Sequence, residues 1–320
     1  MNLDSKIYVA GHRGLVGSAL MRQLQARGYI NLITRTHAEL DLIDQPAVNT
    51  FFAEQKPEYV LLAAAKVGGI HANNTYPAEF IQHNLAIQTN VIHAAWKNGV
   101  QHLLFLGSSC IYPKDCLQPI REEYLLTGEL EPTNRPYALA KISGVEMCWS
   151  YNRQYDTRYI AAMPTNLYGV GDNYDLNNSH VLPALIRKIH EAKTSGATNV
   201  EVWGTGTPKR EFLYSDDMAE ACLYLLEQSD ENVKDLFSET EPPLVNIGCG
   251  EDLTIKQLAE LVKDIVGFEG TLTFNTTKPD GTMRKLLHVE KIKKMGWQAS
   301  TGLREGISKA YQAYVESLHD

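Results

Sequence analysis

A serine, a tyrosine and a lysine with chemically useful spacing stand in the first half of the chain. Ser108 follows the apolar run HLLFL, and Tyr137 and Lys141 stand four residues apart in PYALAK. Residues four apart share one face of a helix, and Pro136 suits a first helical turn. An ammonium beside a phenol lowers the phenol pKa, so we expect Tyr137 to transfer a proton near neutral pH. Taken alone, the same pair fits an ordinary amphipathic helix.

Cys110 lies two residues after Ser108, in the segment GSSCIYP. The preceding apolar run predicts a buried strand, and ligands of open parallel sheets bind beyond the carboxyl ends of the strands. The thiol is therefore either a packing group or a proton-transfer group that faces a bound substrate. This segment alone leaves both interpretations open.

The segment GHRGLVG follows the first predicted strand and opens the first predicted helix. Glycines at positions 11, 14 and 17 permit a tight turn, close approach of a pyrophosphate, and close packing of helix on strand. An ordinary glycine-rich turn is the alternative. The position between strand and helix favours dinucleotide binding, and the spacing GxxGxxG is typical of short-chain reductases.

The end of the second predicted strand, LITRTHAELD, bears on the choice of cofactor. An NAD site usually has an acidic residue there, which accepts from the ribose 2′-hydroxyl. Arg35 and His37 stand at that place, and Arg13 lies in the glycine loop. Two guanidinium groups that converge there suit a 2′-phosphate, so the sequence favours NADP(H). The alternative is that both arginines are solvated surface charges.

The elements that must position these residues alternate between strand and helix. Apolar runs such as IYVAG, YVLLAAA and HLLFLGS lack polar alternation, which is typical of parallel strands covered on both faces. We therefore predict an α/β fold, a Rossmann-type doubly wound parallel sheet with a smaller C-terminal mixed α/β substrate domain. Residues 1–170 would form the nucleotide-binding domain, later segments at about 210–250 would return to it, and residues 171–320 would mainly bind substrate. Thr254 and Gln257 predict a capping box.

Composition excludes several classes of protein. The chain has 320 residues and a formal net charge of −8, which argues against a nucleic-acid binder that relies on general basicity. Its five cysteines show no CxxC pairing, so we expect a reduced, cytoplasmic protein without a metal site. The beginning of the chain has no leader pattern, and its apolar runs are too short to cross a membrane.

The glycine loop, the Ser108–Tyr137–Lys141 triad and the segment PTNLYG resemble the extended short-chain dehydrogenase/reductase family. Longer strings, among them AAAKVGGIHANNTYP, FLGSSCIYP, NSHVLPALIRK and KPDGTMRKLL, are similar to one group of its members over nearly the whole chain. That group comprises NADPH-dependent enzymes that epimerise C3 and C5 of GDP-4-keto-6-deoxy-mannose and then reduce C4. The resemblance also implies a homodimer and no nucleic-acid or membrane partner.

The resemblance implies a role for each matching residue. Tyr137, helped by Ser108 and Lys141, would protonate O4, and Cys110 with His180 would be the acid/base pair of epimerisation. The alternative for His180 is a polar residue that caps the following helix. Implied substrate contacts are Asn166, Lys188, Trp203, Arg210 and Asp280. Implied cofactor contacts, besides the triad residues Ser108, Tyr137 and Lys141 and His180, are Gly11, His12, Arg13, Gly14, Leu15, Val16, Gly17, Arg35, His37, Leu40, Asp41, Leu42, Ala64, Leu106, Gly107, Pro164, Asn166 and Leu167.

Two positions depart from the family pattern, because His37 and Lys188 stand where arginines are expected.

Two other functions also stay open. An NAD-dependent nucleotide-sugar 4,6-dehydratase or 4-epimerase would share the fold, although a dehydratase needs an acidic pair where Ser109 and Cys110 stand. A non-catalytic NADP-sensing regulator would share the cofactor site but would not need a proton donor.

Overall fold

The computed structural model of this protein describes residues 1–176, 178–278 and 280–319. In chain order its helices and strands are β1 (Ile7–Ala10), α1 (Leu15–Ala26), β2 (Leu32–Ile33), α2 (Gln45–Gln55), β3 (Tyr59–Leu62), α3 (Ile70–Thr75), α4 (Pro77–Lys97), β4 (His102–Leu106), α5 (Arg135–Tyr155), β5 (Arg158–Pro164), β6 (Asn166–Tyr168), α6 (Val181–Ser195), β7 (Asn199–Trp203), β8 (Lys209–Arg210), β9 (Phe212–Tyr214), α7 (Ser215–Glu227), α8 (Asp230–Val233), β10 (Leu244–Ile247), β11 (Leu253–Thr254), α9 (Ile255–Val266), β12 (Thr271–Asn275), β13 (Arg284–Lys285), α10 (Glu290–Lys294) and α11 (Leu303–Glu316). Single 3₁₀ turns lie at Ser109–Ile111, Glu122–Tyr124 and Lys234–Leu236.

Six of these strands form one parallel sheet in the order β2-β1-β3-β4-β5-β10. All four residues of β1 and of β10 are buried, as expected for strands covered by helices on both faces. The strand order reverses between β1 and β3, which opens a crevice at the carboxyl ends of those strands. The predicted Rossmann-type fold is therefore confirmed, and β10 joins the main sheet as the sequence indicated.

The buried apolar residues form two clusters. The first surrounds the six-stranded sheet and includes residues of α7, β10 and α10. The second combines α6, β7, α9 and α11. We propose that these clusters are the cores of a nucleotide-binding part and a substrate-binding part. Buried residues between Leu287 and Trp297 also belong to the first cluster.

Local sequence explains the main helix boundaries. The predicted capping box at α9 is present: Gln257 N–H donates to Thr254 Oγ1 at 3.1 Å, and Thr254 N–H donates to Gln257 Oε1 at 2.9 Å. Predicted helices at 15–27, 78–98 and 181–193 agree with α1, α4 and α6 to within two residues. Within the described part of the chain, none of the helices combines the length and the hydropathy that crossing a membrane requires.

Candidate active site

The glycine loop between β1 and α1 is shaped by close backbone contacts. Gly11 has φ +83°, and a Cβ atom there would lie 2.7 Å from the Ala64 nitrogen at the end of β3. A Cβ on Gly17 would lie 2.0 Å from the Gly11 oxygen, so both positions need glycine for the turn itself. A Cβ on the exposed Gly14 would approach the Gly11 oxygen only to 3.4 Å. Open space therefore remains at the N-terminus of α1, where backbone N–H groups favour a phosphate.

His12 and Arg13 are two further predicted cofactor contacts in this loop. His12 Nδ1 is buried without a hydrogen-bond partner, while Arg13 is exposed. An uncapped helix start and an unpaired ring nitrogen fit a bound pyrophosphate. The residues present therefore suit a dinucleotide, as the sequence predicted.

The region after β2 contains an acidic residue that the sequence argument missed. The Glu39 carboxylate accepts from Thr36 N–H at 2.7 Å and from Thr36 Oγ1 at 2.8 Å. These two hydrogen bonds are the main cause that lowers the pKa of Glu39, and the charges of Arg35 and Arg13 lower it further. Both arginines therefore lie near one point, and the carboxylate between them is already bonded to its own turn.

Arg35 is held at this place by two contacts. Its Nη1 donates to the Thr34 carbonyl at 2.7 Å, and its guanidinium lies 5.4 Å from the centroid of the Phe51 ring. His37 is exposed, with Nδ1 3.7 Å from Asp41 Oδ1. Leu40 and Leu42 are buried beside this turn. The two basic side chains thus have different surroundings. Arg35 is held by two contacts, whereas His37 is exposed beside a carboxylate, so Arg35 is better placed than His37 to bind an anion.

The strand β4 ends in a turn that aims Cys110 into the crevice. Ser108 begins the 3₁₀ turn Ser109–Ile111, and the Cys110 N–H donates to Ser108 Oγ at 3.4 Å. A Cβ on Gly107 would lie 1.7 Å from the Met163 Cε atom, so glycine lets β5 pack against this end of the strand. The serine therefore serves both as a turn former and as a hydroxyl beside the thiol.

Tyr137 and Lys141 lie on the first turns of α5, facing the end of β4. The Tyr137 hydroxyl is hydrogen-bonded to the Ser108 side chain, and the Tyr137 ring packs edge-on against Phe80 at 6.2 Å between centroids. Burial raises the pKa of Tyr137, and the Ser108 hydrogen bond offsets part of that increase. Tyr137 is consequently a protonated phenol at neutral pH that can donate a proton, although its pKa is raised and not lowered as the sequence argument expected.

The position of Lys141 explains this difference. Its Nζ donates to the Leu106 carbonyl at 2.7 Å and lies 5.8 Å from the Tyr137 ring centroid. Burial lowers the pKa of Lys141 to about 8. The ammonium is therefore directed at the backbone of β4, and it does not stabilise a phenolate in this arrangement.

Cys110 and His180 have pKa values shifted in opposite directions. Burial raises the pKa of Cys110, against the opposing charge of Lys285 and the Ser108 hydrogen bond. Burial and the charge of Lys285 lower the pKa of His180. His180 precedes α6 but makes no side-chain capping bond there, which removes the alternative role in helix capping. At neutral pH the site thus holds a protonated thiol and a neutral imidazole.

Lys285 is a residue of this site that the sequence argument did not single out. Its charge acts on both Cys110 and His180, and it lines a cavity of about 30 Å³ with Cys110 and Glu131. Strand β13 pairs in parallel with β8, which places Lys285 directly beside Arg210. Burial is the main cause that lowers the pKa of Lys285, and the neighbouring Arg210 guanidinium lowers it further. In the sequence, a role for Lys285 was indicated by its position in the string KPDGTMRKLL, which carries part of the family resemblance.

The predicted substrate residues divide into two groups. Trp203 is 54% exposed, and the Nζ atoms of Lys188 and Lys278 lie 4.8 Å and 5.0 Å from its ring centroid. Lys188 is therefore beside the indole, apart from the Arg210–Lys285 pair. Asn166 Nδ2 donates to the Glu211 carbonyl at 2.8 Å, which ties β6 to the chain around Arg210. Lys278 is a second residue that the sequence argument missed.

Comparison with known proteins shows the family of the chain. The model of the NAD dependent epimerase/dehydratase family matches residues 7–248. GDP-L-fucose synthase 1 of Arabidopsis thaliana is 58% identical over 98% of this chain and 94% of its own, and GDP-L-fucose synthase of Escherichia coli K12 is 52% identical over 98% and 97%.

Among solved structures, the GDP-mannoheptose C4 reductase from Campylobacter jejuni with NADP bound is 44% identical, with a TM-score of 0.89 over 98% of this chain and 99% of its own. The predicted resemblance to extended short-chain dehydrogenases/reductases is thus confirmed. A family match over most of the chain, together with full-length relatives above half identity, shows that the chain belongs to the NAD dependent epimerase/dehydratase family.

Proposed function

We propose that this protein is an enzyme that converts GDP-4-keto-6-deoxy-D-mannose into GDP-L-fucose, by epimerisation at C3 and C5 and reduction at C4 with NADPH. The relatives named GDP-L-fucose synthase support the substrate and the product. One structural observation carries the proposal. Ser108, Cys110 and Tyr137 surround the end of β4, and Lys285, which lines one cavity with Cys110, also acts on His180 by its charge, an arrangement that would suit two successive reactions on one sugar.

The epimerisation needs one group that removes a proton and another that returns one from the opposite face. The C4 ketone acidifies the hydrogens on C3 and C5, so a base of modest strength gives an enolate. Neutral His180 suits the base and the protonated thiol of Cys110 suits the acid, because their pKa values are shifted apart. Lys285, whose charge reaches both groups, would stabilise the oxyanion that develops between them.

The reduction needs a proton at O4 when hydride arrives at C4. Bound NADPH supplies that hydride. The Tyr137 phenol is protonated and hydrogen-bonded to Ser108, so it can donate to O4 and recover a proton from the serine side. Lys141 holds the end of β4 through the Leu106 carbonyl and thereby keeps this pair in place.

The phosphates of both ligands have basic partners. Arg13 and Arg35 would hold the 2′-phosphate of NADP, and the open start of α1 would hold its pyrophosphate. The Campylobacter jejuni relative with NADP bound supports this choice of cofactor. Arg210 and Lys285 would bind the diphosphate of the sugar nucleotide, with Trp203 against the base.

The direct test is product analysis by NMR after incubation with GDP-4-keto-6-deoxy-mannose and NADPH in D₂O. We expect GDP-L-fucose with solvent deuterium at C3 and C5. A product reduced at C4 without deuterium at those carbons would identify a C4 reductase instead. Bound NADPH that is not consumed would identify the regulator. A 4-epimerase or dehydratase would convert sugar without net loss of NADPH.

We also propose that the protein is a cytoplasmic homodimer. A reducing compartment would keep the Cys110 thiol available for proton transfer. The long helices α4 and α5 pack on each other, and Tyr155 of α5, which is 39% exposed, stacks on Trp96 of α4. A partly exposed aromatic pair across two long helices would suit a second copy of the chain, and sedimentation equilibrium would show a mass twice that of the monomer.

A further inference from the structure

Two loops of the substrate-binding part run side by side between paired strands. Strand β7 pairs in parallel with β12, with Trp203 opposite Asn275, and β8 pairs in parallel with β13, with Arg210 opposite Lys285. Residues 204–208 and 276–283 connect these strands. The loops therefore join the exposed indole at one end to the two cations at the other.

One carboxylate bonds the two loops to each other. Asp280 Oδ1 accepts from Thr205 N–H at 2.7 Å, and Asp280 Oδ2 accepts from Thr205 Oγ1 at 2.8 Å. Gly204 has φ +81°, and a Cβ atom on it would lie 2.3 Å from Asp280 Oδ1. A side chain at position 204 would thus displace the carboxylate. We call this two-bond contact the Asp280–Thr205 clasp.

The clasp lies between the two groups that would bind a nucleoside diphosphate. Trp203 is two residues before Thr205, and Lys278, whose Nζ is 5.0 Å from the Trp203 ring centroid, is two residues before Asp280. On the other side, the charge of Asp280 acts on Arg210 and opposes the lowering of its pKa by burial. A carboxylate in this place can set the spacing between a base and a diphosphate without contacting either.

We propose that Asp280 is a positioning residue, which acts through Thr205 to hold the base-facing Trp203–Lys278 pair at a fixed distance from the diphosphate-facing Arg210–Lys285 pair. The inference rests on the proposed function, because it assigns these pairs to a nucleoside diphosphate. It differs from direct recognition of guanine by a carboxylate, in which Asp280 would bond the N1–H and the 2-amino group of the base. The two roles make different predictions for a base that lacks the amino group.

The test is calorimetric binding of GDP and of IDP to the full chain, since IDP differs from GDP only by the missing 2-amino group. We expect Asp280→Ala to weaken both nucleotides equally, by about tenfold, as for loss of a hydrogen bond to a charged group. Thr205→Val should reproduce most of this loss, and the double variant should add little to it. Asp280→Asn, which keeps an oxygen acceptor for the Thr205 N–H, should recover part of the affinity.

Thr277→Val is the matched control. Its hydroxyl, in the same loop, donates to Asn275 Oδ1 at 2.6 Å and takes no part in the clasp, so this variant should bind both nucleotides like the parent. The KM for NADPH and the melting temperature should stay unchanged in all variants, which separates positioning from loss of fold.

A loss in Asp280→Ala that is larger for GDP than for IDP, with Thr205→Val unchanged, would overturn the clasp in favour of direct recognition, because IDP keeps the N1–H and lacks only the 2-amino donor. Normal binding of both nucleotides by Asp280→Ala would overturn it as well. A parent chain that binds neither GDP nor IDP would instead contradict the proposed function, so the two failures are distinguishable.

Discussion

At the scale of single residues, one environment gives two proton-transfer groups opposite protonation states. Cys110 is 8% exposed, whereas His180 keeps exposed surface at the start of α6. Desolvation disfavours the charged form of each, so the thiol pKa rises and the imidazole pKa falls. Lys285 limits the first shift and increases the second. In the proposed reaction these protonation states would suit proton transfer from substrate to His180 and from Cys110 to substrate.

Cys110→Ser tests the role of the thiol. A serine hydroxyl keeps the size of the group but holds its proton too tightly, so inversion at the carbon that Cys110 reprotonates should fall by about 10²-fold or more, while His180 can still exchange deuterium there. NMR of the keto-sugar in D₂O with NADP⁺ present measures inversion and exchange while reduction is prevented. Tyr137→Phe is the control, because it should retain both and lose reduction by about 10²–10⁴-fold. Inversion at the parental rate in Cys110→Ser would show that the thiol only packs.

The pH dependence of that inversion follows from the two shifts. Inversion needs neutral His180 and protonated Cys110, so its rate should rise with pH through a value below the ordinary histidine pKa of about 6.5. It should fall only above the ordinary thiol pKa of about 8.5. The expected profile is a broad plateau around neutral pH. A narrow optimum between these two ordinary values would contradict the assigned environments.

At the scale of elements, the turn after β2 supports the proposed choice of cofactor. It holds Arg35 against Phe51 and ties Glu39 to Thr36, so in the proposed complex a cation and not a free carboxylate would face the adenosine ribose. Arg13 approaches the same point from the glycine loop, since its charge also acts on Glu39. Position along the sequence alone could not show that Glu39 is already bonded within its own turn.

Arg35→Ala should raise the KM for NADPH by about tenfold to a hundredfold, as for loss of one charge-assisted phosphate contact worth about 1.5–3 kcal/mol. The KM for NADH should change little, because NADH has no 2′-phosphate. Steady-state kinetics with each cofactor measures both values on the same variant. Equal losses for the two cofactors would show that Arg35 supports the fold of the turn and does not recognise the phosphate.

At the scale of the whole molecule, a buried carboxylate joins the two apolar clusters. Asp217 on α7 is 4% exposed and accepts from the N–H groups of Ser300 and Thr301 at 3.2 Å and 2.8 Å. It also accepts from both hydroxyls, at 3.3 Å and 2.7 Å. Helix α7 packs in the first cluster, whereas Ser300 and Thr301 lead into α11 of the second. This contact fixes how the substrate-binding part meets the nucleotide-binding part.

Asp217→Ala should lower the free energy of unfolding by about 3 kcal/mol, because it removes the hydrogen bonds that Ser300 and Thr301 donate to a buried carboxylate. Denaturant titration measures the change. The neighbouring Asp216→Ala is the matched control: it removes a partly exposed pair with Arg22, 2.7 Å between Nη2 and Oδ2, and should cost about 1 kcal/mol. Similar losses of unfolding free energy in the two variants would show that the Asp217 contact stabilises the fold no more than a partly exposed ion pair does.

The sequence by itself determined the class of fold and most of the chemistry. Unbroken apolar runs require strands buried on both faces, and glycines 11 and 17 are needed because a Cβ atom would meet backbone within 3 Å. The contact of Gly11 with Ala64 is seen only in the folded chain, whereas the apolar runs and the glycine spacing are local patterns that can be recognised without coordinates. The same holds for the shared helix face of Tyr137 and Lys141 and for the capping box at Thr254.

Only the tertiary structure determined the protonation states of the site residues and the contacts that they make with distant segments. Lys141 bonds the Leu106 carbonyl and leaves the phenol of Tyr137 protonated, and Lys285 enters the site from β13, far along the chain from Cys110. Asp280 meets Thr205 across 75 residues. Protonation states and partners depend on burial and on contacts between distant segments. Neither quantity is present in the local pattern of residue types, which is why only the folded chain shows them.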